Sequence, residues 1–146
     1  MVVGDRLIAG TGMNDAAAYD STTRQQVWNH EEVRGYRTTQ LPIADGMLYA
    51  SRPDLRAIDV RNGKEIWRDQ PWDFVKMITP HDAVLYYTGH SYSPHDRRIR
   101  QPDSLFAFDV QTQEPLWQTE LAHDTFGYYR VVHEDAVCVA EDDLKN

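Results

Sequence analysis

The sequence predicts an all-β fold: four-stranded antiparallel β-propeller blades, about three of them plus a partial fourth, in an incomplete ring. Three observations predict it. The pattern Ala-x-Asp, seven residues, Trp occurs three times, from Ala18 to Trp28, Ala57 to Trp67 and Ala107 to Trp117. The three tryptophans are 39 and 50 residues apart, and a period of roughly 40 residues marks supersecondary units that stack side by side. Each unit also carries four-residue apolar runs rich in Val, Leu and Tyr and bounded by Gly or Asp. Such runs are too short for buried helices and suit buried strands.

The elements follow in a fixed order. First strands are expected at TTQLPIA (38–44), FVKMITP (74–80) and YYRVVHE (128–134). Second strands are RLIA (6–9), MLYA (47–50), VLYY (84–87) and VCVA (137–140). Third strands are AAAYD (16–20), LRAIDV (55–60) and LFAFDV (105–110), and fourth strands end in the tryptophans as QQVW, KEIW and PLW. In the second copy, alternation sends Leu55, Ala57 and Asp59 one way and Arg56, Ile58 and Val60 the other. The units span approximately 1–32, 37–70, 74–120 and 128–146. The first begins almost at its second strand, so no first strand is expected there, and the fourth stops after its second strand. The chain therefore reads as a piece of a larger propeller, with a half-ring completed by a second copy as the alternative.

The turn inside each motif has a physical cause. DSTT, DVRN and DVQT all open with Asp, namely Asp20, Asp59 and Asp109. An Asp carboxylate accepts hydrogen bonds from the next backbone N–H groups and closes a turn. Asn62-Gly63 supplies a left-handed position in the second copy. Ala18, Ala57 and Ala107 leave room for close packing, while Trp28, Trp67 and Trp117 each bring a large apolar surface with one N–H donor. Repeat positions of this kind pack one blade on the next.

Composition bounds the function. A net charge of −8 repels phosphate backbones, which argues against nucleic acid as a partner. Cys138 is the only cysteine, so neither an internal disulfide nor a thiolate metal cluster can form. No stretch has the roughly 20 apolar residues needed to span a bilayer, and the N-terminus lacks the pattern of a signal peptide. No membrane insertion is expected from this segment, and a signal, if the protein is exported, would lie outside it.

The repeats resemble the tryptophan-docking motif of the pyrroloquinoline-quinone (PQQ)-like β-propeller family, Ala-x-Asp-x-x-Thr-Gly-x-x-x-Trp. The second copy has Asn62 for Thr and keeps Gly63; the first has Thr23 but Arg24 for Gly; the third has Thr112 but Gln113 for Gly. Loss of the glycine in two copies implies varied turn geometry. The resemblance covers nearly the whole chain and implies the propeller. The family includes outer-membrane assembly lipoprotein-like propellers, quinoprotein dehydrogenases and sensor domains of kinases, and it implies a periplasmic or cell-surface location. One fold hosts many functions, so the activity has to be read from the site.

The third unit carries an insertion, GHSYSPHDRRIRQPD (89–103), between its second and third strands. Insertions in repeats map to loops on one face, often the binding face. Strand alternation puts this loop on the face that also gathers the connectors between blades. That face would hold Tyr36 from the first connector and Trp72, Asp73 and Phe74 from the second. His90, Tyr92, His95, Arg97, Arg98 and Arg100 come from the insertion, and Phe126 and Tyr128 from the third connector. Against this stands the plain alternative that a loop rich in Arg, His, Asp and Ser is solvated surface. His81, His90 and His95 lack a recognised metal spacing, and no metal site is expected. No phosphate-binding glycine loop or nucleophile elbow is present.

The expected function is non-catalytic: a repeat module for protein or ligand binding and scaffolding, with no cofactor. Its partners would be a protein or small molecule on the loop face and further blades from the same chain or a second copy. The alternative that the resemblance raises is a segment of a PQQ-dependent alcohol or sugar dehydrogenase, with PQQ and calcium. That enzyme's vicinal Cys pair cannot come from a chain with Cys138 alone. A third reading is an extracytoplasmic sensor domain of a signalling protein.

Overall fold

A computed structural model describes residues 1–10, 16–31, 42–50, 54–69, 74–93, 95–96, 98–122, 130–133 and 136–139. The chain divides into two compact units, Met1–Pro71 and Trp72–Asn146. All regular elements among the described residues are strands.

The first unit holds two sheets. β1 (Val2–Val3), β2 (Arg6–Gly10), β3 (Ala16–Asp20) and β4 (Gln26–His30) form one, in the order β1-β2-β3-β4. β5 (Ile43–Ala44), β6 (Met47–Ala50), β7 (Leu55–Asp59) and β8 (Glu65–Asp69) form the other, again in chain order. The second unit contains β9 (Phe74–His81), β10 (Val84–His90), β11 (Ser104–Asp109) and β12 (Glu114–Glu120) as a third four-stranded sheet. β13 (Arg130–His133) and β14 (Ala136–Val139) form a two-stranded sheet in the same unit. Every pairing is antiparallel between chain neighbours. These are propeller blades: three of four strands and a two-strand part of a fourth.

The first blade corrects the sequence reading, because it does have a first strand. Val2 and Val3 pair with Leu7 and Arg6. The Met1 ammonium donates to the Ile8 carbonyl at 2.9 Å, and the Ile8 N–H donates back to the Met1 carbonyl at 2.8 Å. Two residues suffice because the turn to β2 is only two residues long. The equivalent turn in the second blade, Asp45-Gly46, has φ of 50° and 75°, the left-handed pair that matches the twist of a hairpin.

In the third strand of the second blade, side chains of both alternating sets are buried. Leu55, Arg56, Ala57 and Ile58 of β7 are all buried, so residues on both faces of this strand are covered. In the first unit the core joins the two blades. Ile8, Ala16, Ala18 and Trp28 of the first pack with Leu48, Ala50, Ile58 and Val60 of the second. Within the second unit, Tyr87 and Phe106 are cross-strand partners whose rings stack at 5.0 Å and 19°.

Each blade also has a β-bulge in its outer strand, immediately before the tryptophan. Ala18 pairs with Trp28 while Tyr19 pairs with Gln26. Ala57 pairs with Trp67 while Ile58 pairs with Glu65, and Ala107 with Trp117 while Phe108 pairs with Pro115. The skipped residues Val27, Ile66 and Leu116 are exposed, because a bulged residue leaves the ladder and re-aims its side chain.

Candidate functional site

The motif turns are built alike in all three blades, which corrects the expectation of varied geometry. Arg24, Gly63 and Gln113 have φ of 62°, 73° and 60°. Their N–H groups donate to the carbonyls of Asp20, Asp59 and Asp109 at 2.8, 2.8 and 3.0 Å. The Asp20 carboxylate accepts from the N–H groups of Thr22 and Thr23 at 2.9 and 2.7 Å. Asp109 accepts from those of Gln111 and Thr112 at 2.7 and 2.9 Å, and Asp59 from that of Arg61 at 2.7 Å. These carboxylate bonds hold the turn firmly enough that a non-glycine residue takes the left-handed position. The same bonds make two carboxyls more acidic. The N–H groups of Thr23 and Thr22 hold the Asp20 carboxyl below its ordinary range, and those of Thr112 and Gln111 do so for Asp109.

The glycine matters for the neighbour, not for the turn. Trp28 of the first blade lies on the second blade's turn, where its Nε1–H donates to the Val60 carbonyl at 2.9 Å. A Cβ on Gly63 would sit 2.6 Å from the Trp28 Cγ, closer than carbon atoms approach. His30 Nε2 donates to the Gly63 carbonyl, and Arg6 Nε to the Arg61 carbonyl at 3.1 Å. One turn of the second blade thus receives three side chains from the first. Trp28 is only 8% exposed, whereas Trp117 is 43% exposed. Beside this junction Arg68 binds Glu65 through two nitrogens at 2.9 and 2.8 Å. That bonding holds the Glu65 carboxyl below its ordinary titration range and pushes the Arg68 guanidinium above its own.

The insertion in the third blade is ordered at its base. β10 ends at His90 and β11 begins at Ser104. Between them Tyr92 and Arg100 form an antiparallel bridge. The N–H groups of Ser93 and Gln101 donate to the carbonyls of Ile99 and Ser91, both at 2.8 Å. The insertion is thus a short, hairpin-like arm. Its foot is built around a buried carboxylate. Asp103 is 0% exposed. Its Oδ1 accepts from Arg100 Nη2 at 2.6 Å and faces His90 Nδ1 at 3.4 Å. Its carbonyl accepts from the Leu121 N–H at 2.9 Å. The His90 ring meets Tyr92 edge-on at 5.4 Å. A buried carboxylate is tolerated only when paired, and Arg100 supplies the pair.

The candidates from sequence therefore divide. His90 and Arg100 work at the foot of the arm, and Tyr92 is half-buried beside them. His95 and Arg98 are exposed at the tip, where Asp96 accepts from Arg98 Nε at 3.2 Å and from its N–H at 3.0 Å. Tyr36, Trp72, Asp73, Arg97, Phe126 and Tyr128 lie outside the described residues, as does the side chain of Phe74. Sequence reading missed two residues. Asp103 was signalled only by an acidic residue three places after Arg100 at the mouth of an apolar strand. Ile99, 55% exposed at the tip, was signalled by being the lone aliphatic residue in a polar run.

Among the described residues no three His, Cys, Asp or Glu side chains are grouped to hold a metal ion. Asp103 is engaged by Arg100, and Cys138 stands exposed on β14.

Four-stranded blades joined by a tryptophan seated on the neighbour's turn define a PQQ-type β-propeller. The family model described as outer membrane protein assembly factor BamB matches residues 1–73, half of the chain, and the chain belongs to this family. No curated protein sequence matches. Among solved structures, BamB from Moraxella catarrhalis is similar at 21% identity and a TM-score of 0.63, over 93% of this chain and 39% of that one. A quinohemoprotein alcohol dehydrogenase from Comamonas testosteroni has 17% identity and a TM-score of 0.58, over 82% of this chain and 20% of that one. A europium-containing methanol dehydrogenase has 16% identity and a TM-score of 0.61, over 82% of this chain and 23% of that one. At these identities the likeness is one of fold. The chain spans about two fifths or less of each of these structures. Among the described residues no helix is long and apolar enough to cross a membrane.

Proposed function

We propose that the chain belongs to a protein-binding propeller working outside the cytoplasm, in the manner the BamB-like family suggests, and that the third-blade arm engages the partner. The observation that carries this reading is the contrast within the arm. Its foot is fixed by the bond of half-buried Arg100 to buried Asp103, while its tip presents Arg98 and Ile99 to solvent. An exposed aliphatic residue flanked by arginine on a pre-ordered hairpin suits a small interface, because rigid presentation lowers the entropy lost on binding. The family match supports scaffolding.

The test is a photo-reactive amino acid placed at position 99 in the full-length protein, with position 27 on the first blade as control. A discrete protein adduct from position 99, weakened by Arg98→Glu, supports the reading. Equal labelling from both positions overturns it. Dye-linked alcohol oxidation by the full-length protein with PQQ and calcium would favour the dehydrogenase instead.

A further inference from the structure

We propose that the third-blade arm recognises a carboxylate side chain on a protein partner, clasping it with the guanidinium fork of Arg98 while Ile99 covers an apolar residue beside it. This rests on the arm as the binding element and adds the chemistry that the partner has to present.

Three observations carry it. The first is the backbone under the two residues. The Ile99 N–H donates to the Asp96 carbonyl at 2.9 Å and closes the turn 96–99, while the Ile99 carbonyl accepts from the Ser93 N–H at 2.8 Å. The tip is thus tied to itself and to the opposite limb of the arm. The second is the way Asp96 holds Arg98. One carboxylate oxygen, Oδ1, accepts from the Arg98 N–H at 3.0 Å and from its Nε at 3.2 Å. An acceptor locked to the backbone therefore grips the guanidinium at Nε. Among the described residues the two terminal nitrogens of Arg98 carry no bond, and the side chain is 92% exposed. A planar guanidinium gripped in this way turns two parallel donors outward, the match to the two oxygens of a carboxylate. Some of the freedom that an arginine loses on binding is already lost here. The third is Ile99, 55% exposed next to the fork. An apolar contact beside a charge pair keeps water from it and strengthens the attraction.

The same facts select the residue and the ligand. Arg100 is not the clasp, because the buried Asp103 already engages it at 2.6 Å. A phosphate-rich surface, whether lipid or nucleic acid, extends well beyond one fork and meets a chain of net charge −8, which opposes its approach. A single carboxylate on a protein surface brings one charge to one fork, and its apolar neighbour gives Ile99 something to cover.

The experiment uses the full-length protein with an apolar photo-reactive residue at position 99, and mass spectrometry reads the crosslinked peptide. That peptide is expected to carry Asp or Glu beside an apolar residue. Arg98→Lys keeps the charge and loses the fork. It is expected to lower the adduct about tenfold or more, nearly as far as Arg98→Gln. Arg98→Glu combined with an arginine in place of the partner's carboxylate should restore the adduct that either change alone removes. Because Arg98 is so exposed, these variants should keep the circular dichroism of the parent. An adduct of equal yield in the parent, Arg98→Lys and Arg98→Gln overturns the clasp and leaves the arm standing as the binding element. A crosslinked peptide without Asp or Glu, or an adduct with lipid, does the same to the clasp. Absence of any adduct at position 99 removes the arm as the binding element and the clasp with it.

Discussion

The indole of Trp28 donates to the carbonyl of Val60 across 2.9 Å, joining residues 32 apart in sequence and in different blades. Blades of this size cannot bury both faces alone, so contacts of this kind make them one body. Gly63 completes the seat by presenting no side chain to the ring.

Trp28→Ala should destabilise the chain by about 3–5 kcal/mol, the usual cost of deleting a large buried aromatic. Gly63→Ala should also destabilise, by about 1–3 kcal/mol, through strain at a left-handed position and contact with the indole. The two costs should not add. With Trp28 already replaced by Ala, Gly63→Ala should lose the part due to the clash, and a denaturant double-mutant cycle measures that coupling.

The left-handed residues of the other turns predict the reverse effect. Arg24→Gly and Gln113→Gly place glycine where φ is already 62° and 60°. Each should stabilise by about 0.5–1 kcal/mol, because relief of backbone strain outweighs the added freedom of the unfolded chain. Urea midpoints would show it, and a loss of stability in both variants would contradict the reading of these turns.

Asp20 and Asp109 predict an acid response with a definite sign. Backbone N–H groups hold both carboxyls below their ordinary range. Their contribution is therefore complete above the unfolded-state value of about 3.9 and is lost as pH falls through the lower folded-state value. Asn keeps the accepting oxygen and removes the charge. Asp20→Asn and Asp109→Asn should thus be less stable than the parent at pH 7, with the difference shrinking below about pH 4. A difference that stays constant down to pH 2 would place the cause elsewhere.

Asp103 predicts a local effect. Asp103→Ala removes the acceptor of Arg100 and the group facing His90. It should cost about 1.5–3 kcal/mol, the usual range for a hydrogen bond to a charged group. Hydrogen exchange should speed up chiefly at Ser93, Ile99 and Gln101, whose amides are bonded within the arm. Uniform acceleration throughout the chain would instead make Asp103 a global core residue.

Most of the fold was legible because it repeats. Three tryptophans, three turn aspartates and the apolar runs before them are local signals, and each sheet forms from chain neighbours. The first strand was missed because two residues, Val2 and Val3, are too few to show a period. The uniform turns were missed because local propensity disfavours Arg24 and Gln113 at positive φ, whereas the carboxylates of Asp20 and Asp109 override it. The candidate site was legible as a loop and not as a structure. His90, Arg100 and Asp103 are thirteen residues apart from first to last, and only the pairing of Tyr92 with Arg100 brings them to one foot. Nothing in the spacing said which arginine would be spent on a buried partner and which left outside.

The most direct measurement of the account is photo-crosslinking from position 99 of the full-length protein in its native setting. The account predicts one discrete partner adduct there, reduced by Arg98→Glu and by loosening the foot with Asp103→Ala, and none from position 27. An adduct unaffected by either substitution, or none at position 99, would contradict the arm as the binding element.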